Sequence, residues 1–229
     1  MSLNYRCIIF DLDNTLYDET EYFIAVFKEI SKIISNIIRS KNEKQIYYEI
    51  LNEFSVKGSQ YPNFFLYITK KYNLNEKFHN VFYNIYKNIN ANMSLYSDAK
   101  YILKWLKSEG YLLGLITNGT VESQWNKIRL LNLEKIMDCM CVAREFGIEF
   151  EKPNTFPYKY IVKKLKVSPS ETIYVGDNPI NDFQGAKKIG MTTVRIKRGE
   201  FKNLRINVKY IDFEINSFYE LRNIIRGEV

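Results

Sequence analysis

Short apolar runs alternate with helical patterns along most of this chain, and that alternation limits its possible folds more than any other feature. The runs cover 6–10, 111–116, 139–143, 172–175 and 192–196. Each is continuous rather than alternating, as expected of strands buried on both faces of a parallel sheet. Between them, 98–108, 121–131, 156–165 and 181–189 carry helical spacing. In the first of these, Tyr101, Ile102, Trp105 and Leu106 make one apolar stripe. The predicted fold class is α/β, a doubly wound parallel sheet flanked by helices.

One stretch breaks the rhythm. From 19 to 92 no segment reads as a sheet strand, and four helical patterns follow one another, opening with Tyr22, Phe23, Val26, Phe27, Ile30, Ile33, Ile34, Ile37 and Ile38. The chain has 229 residues, enough for one large domain carrying an insert. The expected organisation is therefore a sheet domain from 1–18 and 93–229, with an α-helical insert at 19–92. Aromatics crowd the insert, among them Tyr61, Phe64, Phe65, Tyr72, Phe82 and Tyr86, and their spacing marks most of them as core. The lone histidine, His79, falls here and reads as a surface or interface residue rather than a ligand.

Composition removes several classes of function. With 46% hydrophobic residues the chain is not disordered, and three cysteines, Cys7, Cys139 and Cys141, make neither a disulfide scaffold nor a zinc site. Their apolar settings fit a reducing cytoplasm. No signal-peptide pattern opens the sequence, and no apolar stretch approaches the ~20 residues of a membrane helix. Net charge is +7, but the basic residues are scattered and match no nucleic-acid-binding motif. A diffuse positive field also suits a small anionic substrate, so charge alone does not choose. The expectation is a cytoplasmic protein, monomer or homodimer, with a small-molecule partner and neither nucleic acid nor membrane.

The chemistry is concentrated where predicted strands end. Asp11 and Asp13 follow the first run in Asp11-Leu12-Asp13-Asn14-Thr15, at the carboxyl edge where open α/β sheets place ligands. In extended chain, residues two apart point the same way, so these carboxylates can converge. Asp177 follows the fourth run, after Gly176, with Asp182 five residues on; Asn178 reads as a helix N-cap and Pro179 as the first helical residue. Four carboxylates in one crevice require a cation, and magnesium takes oxygen ligands. Thr117-Asn118-Gly119 ends the second run with a hydroxyl and backbone N–H groups of the kind that hold phosphate. Lys152, ahead of Pro153, adds an ammonium.

These four elements, in this order and spanning nearly the whole chain, resemble the haloacid dehalogenase superfamily. Asp11 to Thr15 looks like its first motif, Thr117 its second, Lys152-Pro153 its third, and Gly176-Asp177 through Asp182 its fourth. The resemblance implies a Rossmann-like core, and it makes the helical insert a cap of the first type, which closes over the site. It implies a magnesium-dependent phosphatase acting on a small phosphorylated metabolite, a nucleotide or sugar phosphate, through an aspartyl-phosphate. Asp11 would be the nucleophile, and Asp13 the acid and then the base. Asp11, Asp13 (through its backbone carbonyl), Asp177 and Asp182 would bind metal. Thr117, Asn118, Gly119 and Lys152 would hold the substrate phosphate. The family's dehalogenases lack an Asp at the Asp13 position, so its presence favours phosphoryl transfer; a phosphomutase or a catalytically silent relative remains the alternative. The third motif departs from the common Lys-Pro-Asp-Pro by reading Lys152-Pro153-Asn154-Thr155.

Overall fold

The structure is a computed structural model that describes residues 5–59, 61–204 and 209–228. Six strands form one sheet: β1 (Cys7–Phe10), β2 (Leu112–Thr117), β3 (Cys139–Val142), β4 (Thr172–Gly176), β5 (Thr192–Ile196) and β6 (Phe213–Ile215). Their order is β3-β2-β1-β4-β5-β6 and every pairing is parallel. Strands advance to one side from β1 to β3 and to the other from β4 to β6, so the direction of winding reverses between β1 and β4. A crevice opens at such a reversal, outside the carboxyl ends of the strands. Register brings Phe10 level with Leu115 and Val175, which places the residues just after β1, β2 and β4 side by side.

The continuous apolar runs are explained by burial on both faces: Ile8, Ile9 and Phe10 are wholly inaccessible. On one face, α7 (Phe156–Leu165) and α8 (Phe183–Lys188) bury Tyr158, Ile161, Phe183 and Ala186 against Cys7, Ile9, Cys141 and Tyr174. On the other, α5 (Ser97–Ser108) and α9 (Phe218–Arg226) pack together, with Phe218 edge-on to Phe10 at 5.7 Å between ring centroids. α6 (Val121–Leu130) follows β2. Among the described residues, no helix is long and apolar enough to cross a membrane. The three cysteines are free thiols, and burial pushes Cys7 and Cys141 up to about 12.

The chain divides into two compact units, 1–19 with 94–229, and 20–93. The second carries α1 (Glu19–Ile38) beyond its first residue, α2 (Glu43–Lys57), α3 (Phe64–Lys71) and α4 (Lys77–Asn88). Its interior is aromatic. Phe54 lies 4.4 Å from Phe23, 5.1 Å from Phe27 and 5.6 Å from Phe64, centroid to centroid. Tyr22 donates to the Tyr86 carbonyl at 2.5 Å, so its buried hydroxyl is satisfied. His79 is half-buried and stacks on Tyr83.

Several local expectations need correction. Helix α8 starts at Phe183, not near 181, Asn178 is not its N-cap, and Pro179 is not its first residue. Asn178 instead closes a tight turn: its Oδ1 accepts from Ile180 N at 3.0 Å, and its carbonyl accepts from Asp182 N at 3.0 Å. Asp182 occupies the N-cap position. The pair β6 and α9 is absent from the sequence reading. Three residues are too few for strand periodicity, but α9 opens with a capping box, Ser217 with Glu220, that the sequence does display.

Candidate active site

Lys152 is the centre of the site. Its ammonium, only 4% exposed, donates to Asp11 Oδ1 at 2.5 Å, Asp182 Oδ1 at 2.7 Å and the Tyr174 hydroxyl at 3.1 Å. Burial works against that charge, but Asp11 and Asp182 outweigh it and hold the ammonium above its ordinary range. Asn118 fixes the lysine's backbone from the neighbouring loop, accepting from Lys152 N and donating to Lys152 O, both at 2.9 Å. The Lys152–Pro153 peptide is cis.

Asp11 continues β1, with its N–H on the Val175 carbonyl at 2.8 Å. Its second carboxylate oxygen accepts from Thr15 at 3.1 Å. Asp177 and Asp182 lie alongside, and one oxygen from each of the three acids falls within 4.8 Å of the others. A Cβ on Gly176 would overlap the Asp182 carboxylate, so this close approach requires glycine. Asp182 Oδ2 also accepts from Asn178 N at 2.9 Å, while Tyr158 donates to its carbonyl at 2.6 Å. Three buried carboxylates face one ammonium, an imbalance that burial makes costly. Accordingly Asp11 is pushed up to about 7, chiefly by burial and then by Asp182 and Asp13 against the opposing Lys152. Burial, with Asp11 and Asp182, also holds Asp177 well above the usual carboxylate range.

The donor set fits a divalent cation. Asp177 Oδ2 is buried without a hydrogen-bond partner among the described residues, which is costly unless something else satisfies it. An all-oxygen, multiply charged group of ligands suits magnesium.

Asp13 departs from the expected convergence of four carboxylates. The chain turns immediately after it, with Asn14 at φ 56° and Leu16 N bonded to the Leu12 carbonyl, so extended alternation ends there. Its side chain lies outside the carboxylate trio. Asp13 Oδ1 accepts from Lys127 Nζ at 2.7 Å and the Tyr17 hydroxyl at 2.5 Å, and Oδ2 accepts from Gln124 Nε2 at 3.1 Å. Lys127, wholly inaccessible, also reaches Glu19 Oε1 at 3.1 Å. Sequence reasoning missed Lys127, Gln124, Tyr17 and Glu19. The available signal was a lysine and a glutamine sharing one helical face with Ile128 and Leu131, a polar interruption of a buried stripe.

Thr117 ends β2, buried, with its hydroxyl 3.2 Å from Gln124 Oε1. The Gly119 N–H is not free: it donates to Glu151 Oε1 at 2.7 Å, and Arg144 holds that carboxylate through two bonds at 2.9 and 3.0 Å. The structure thus brings Asp11, Lys152, Asp177 and Asp182 into direct or near contact. Gln124 links Thr117 to Asp13. Asn118 and Gly119 tie the loop after β2 to the segment carrying Lys152.

The family model described as haloacid dehalogenase-like hydrolase matches residues 8–196. This chain belongs to that family. Among members, the glyceraldehyde 3-phosphate phosphatase of Methanocaldococcus jannaschii is 34% identical, with 96% of each chain covered. The (S)-2-haloacid dehalogenase 4A of Burkholderia cepacia is 33% identical, over 46% of this chain and 45% of its own. Among solved structures, a haloacid dehalogenase family phosphatase from Thermococcus onnurineus superposes with a TM-score of 0.66 at 25% identity, covering 97% of this chain and 98% of that one. The family's sheet is the one observed, and the chain is a hydrolase of this family.

Proposed function

We propose that this hydrolase is a magnesium-dependent phosphatase that cleaves a small phosphate monoester through an aspartyl-phosphate. The observation that carries the reading is Asp11, presented at the end of β1 by Lys152 beside a buried acid pair that includes an unsatisfied oxygen. Asp11 attacks phosphorus through a carboxylate oxygen. Asp13 gives a proton to the leaving oxygen and then takes one from the water that hydrolyses the acyl phosphate. Lys152, Thr117 and the Asn118 backbone hold the transferring oxygens, where charge and position supply most of the catalysis. Asp11, Asp177, Asp182 and the Asp13 carbonyl would hold magnesium, which when bound neutralises charge on the phosphoryl group. The insert at 19–92 is read as the cap that sets selectivity.

Glyceraldehyde 3-phosphate is the first substrate to test, because relatives named for it align over nearly the whole chain. The likeness to dehalogenases carries less weight, since this chain keeps Asp13. The test is inorganic phosphate release from glyceraldehyde 3-phosphate, nucleoside monophosphates and hexose phosphates, with magnesium or with chelator. Chelator-sensitive release is expected. Folded protein that releases none overturns the reading, and isomerisation without net release would make it a mutase.

A further inference from the structure

Asp13 needs one orientation to serve a leaving oxygen, and its side chain sits on a turn where the backbone alone does not fix it. Three donors do. Lys127 and Tyr17 both bind Oδ1, at 2.7 and 2.5 Å, whereas among the described residues Oδ2 receives only Gln124 Nε2, at 3.1 Å. Two donors on one oxygen and a single donor on the other make the carboxylate inequivalent. Lys127 is itself anchored by Glu19, and Gln124 by the Thr117 hydroxyl. The cage is therefore built from three separate segments, 15–19, the end of β2 and α6, rather than from one flexible loop.

We propose that Lys127, assisted by Tyr17 and Gln124, is a positioning residue that fixes Asp13 so that Oδ2 is the oxygen exchanging the proton. The proposal rests on the phosphatase reading above. In the first step the bond from Asp11 oxygen to phosphorus forms while phosphorus to leaving oxygen breaks. The bonding pair goes to the leaving oxygen, and the proton passes to it from Asp13 Oδ2. In the second step water adds to phosphorus, its proton returns to Oδ2, and Asp11 leaves as carboxylate. A lysine that only neutralised two half-buried acids would support the fold equally for every substrate. A positioning lysine matters most where the leaving oxygen needs its proton, because general acid catalysis contributes little to an already good leaving group.

Two substrates separate these roles. Glyceraldehyde 3-phosphate expels an alkoxide-like oxygen that needs protonation, and p-nitrophenyl phosphate expels a stable phenolate. Lys127→Met is expected to lower kcat/KM for glyceraldehyde 3-phosphate by about a hundredfold, while leaving that for p-nitrophenyl phosphate nearly unchanged. Tyr17→Phe, which removes one hydroxyl, should shift the ratio the same way by a smaller factor and decides the matter if Lys127→Met fails to fold. Magnesium is expected to raise the melting temperature of wild type and of both variants alike, because neither substitution touches the acid trio. Equal losses on both substrates, or an unchanged ratio, overturn the positioning role. A wild-type protein inactive on both substrates instead overturns the phosphatase reading beneath it.

Discussion

Lys152 touches Asp11, Asp182, the Tyr174 hydroxyl and, at 3.4 Å, the Ile116 carbonyl with a single buried ammonium. Truncating one partner of a buried charge cluster leaves the rest uncompensated, so Lys152→Met should destabilise the metal-free protein by about 3 kcal/mol at neutral pH. Denaturant unfolding measures this. The loss should shrink in acid, where Asp11 and Asp177 take up protons instead; an undiminished loss would mean the lysine acts through packing alone. Asp11→Asn works in the opposite sense on stability, because it removes one of three crowded carboxylates. It should cut phosphate release more than about 10³-fold while folding stays intact. Activity within tenfold of wild type, by the same assay, would remove Asp11 from the nucleophile's place.

At the scale of elements, the site depends on how closely α8 and the loop after β3 approach. Gly185 in α8 has no room for a side chain: a Cβ there would lie 2.6 Å from the Pro153 carbonyl oxygen, 2.8 Å from the Asn154 carbonyl oxygen and 2.5 Å from the Tyr158 ring. Two of these obstacles are backbone and cannot rotate away. Gly185→Ala is therefore expected to cost about 1–3 kcal/mol and to weaken catalysis by shifting the segment next to Lys152. An unchanged denaturation midpoint would show that the loop yields freely. Strand ends announced Asp11, Thr117 and Asp177, because apolar runs followed by small or acidic residues are a local signal. The turn at 178–182, closed by bonds two and four residues apart, is local and was overlooked because helical spacing reads through it. The Asp13 cage was not legible, since Gln124 and Lys127 lie 111 and 114 residues from Asp13 and meet it only once the sheet has folded. Lys127 shows this most clearly. A lysine and a glutamine on the buried face of α6 signal a buried polar contact, but nothing local names Asp13 and Glu19 as the acids they meet.

For the whole molecule, the net charge of +7 conceals a buried negative centre, and that centre should control how stability responds to pH. Asp11 and Glu19 are each pushed up to about 7, mainly by burial, and Asp177 is raised as well. A carboxyl with a raised pKa keeps its proton in the native state over a range where the unfolded chain has lost it. Native protein then binds more protons than unfolded protein, so stability falls as pH rises. The window runs from the ordinary carboxylate range up to about 7. Glu49 and Glu53, held below that range by hydrogen bonds from Lys41 and Lys71, act in the opposite direction but finish titrating below the window. Metal-free protein should accordingly melt at a higher temperature near about pH 5 than near about pH 8. Magnesium must displace those protons to reach carboxylates, so its stabilising effect should be larger at the higher pH, and binding there should release fewer protons than at about pH 6. Thermal unfolding with and without magnesium across this range, paired with calorimetry in buffers of different ionisation enthalpy, measures both quantities. Asp177→Asn should flatten the metal-free profile and abolish most of the magnesium response together, because one buried carboxylate contributes to both. Loss of one effect without the other would mean that the raised acids and the cation site are different parts of the protein.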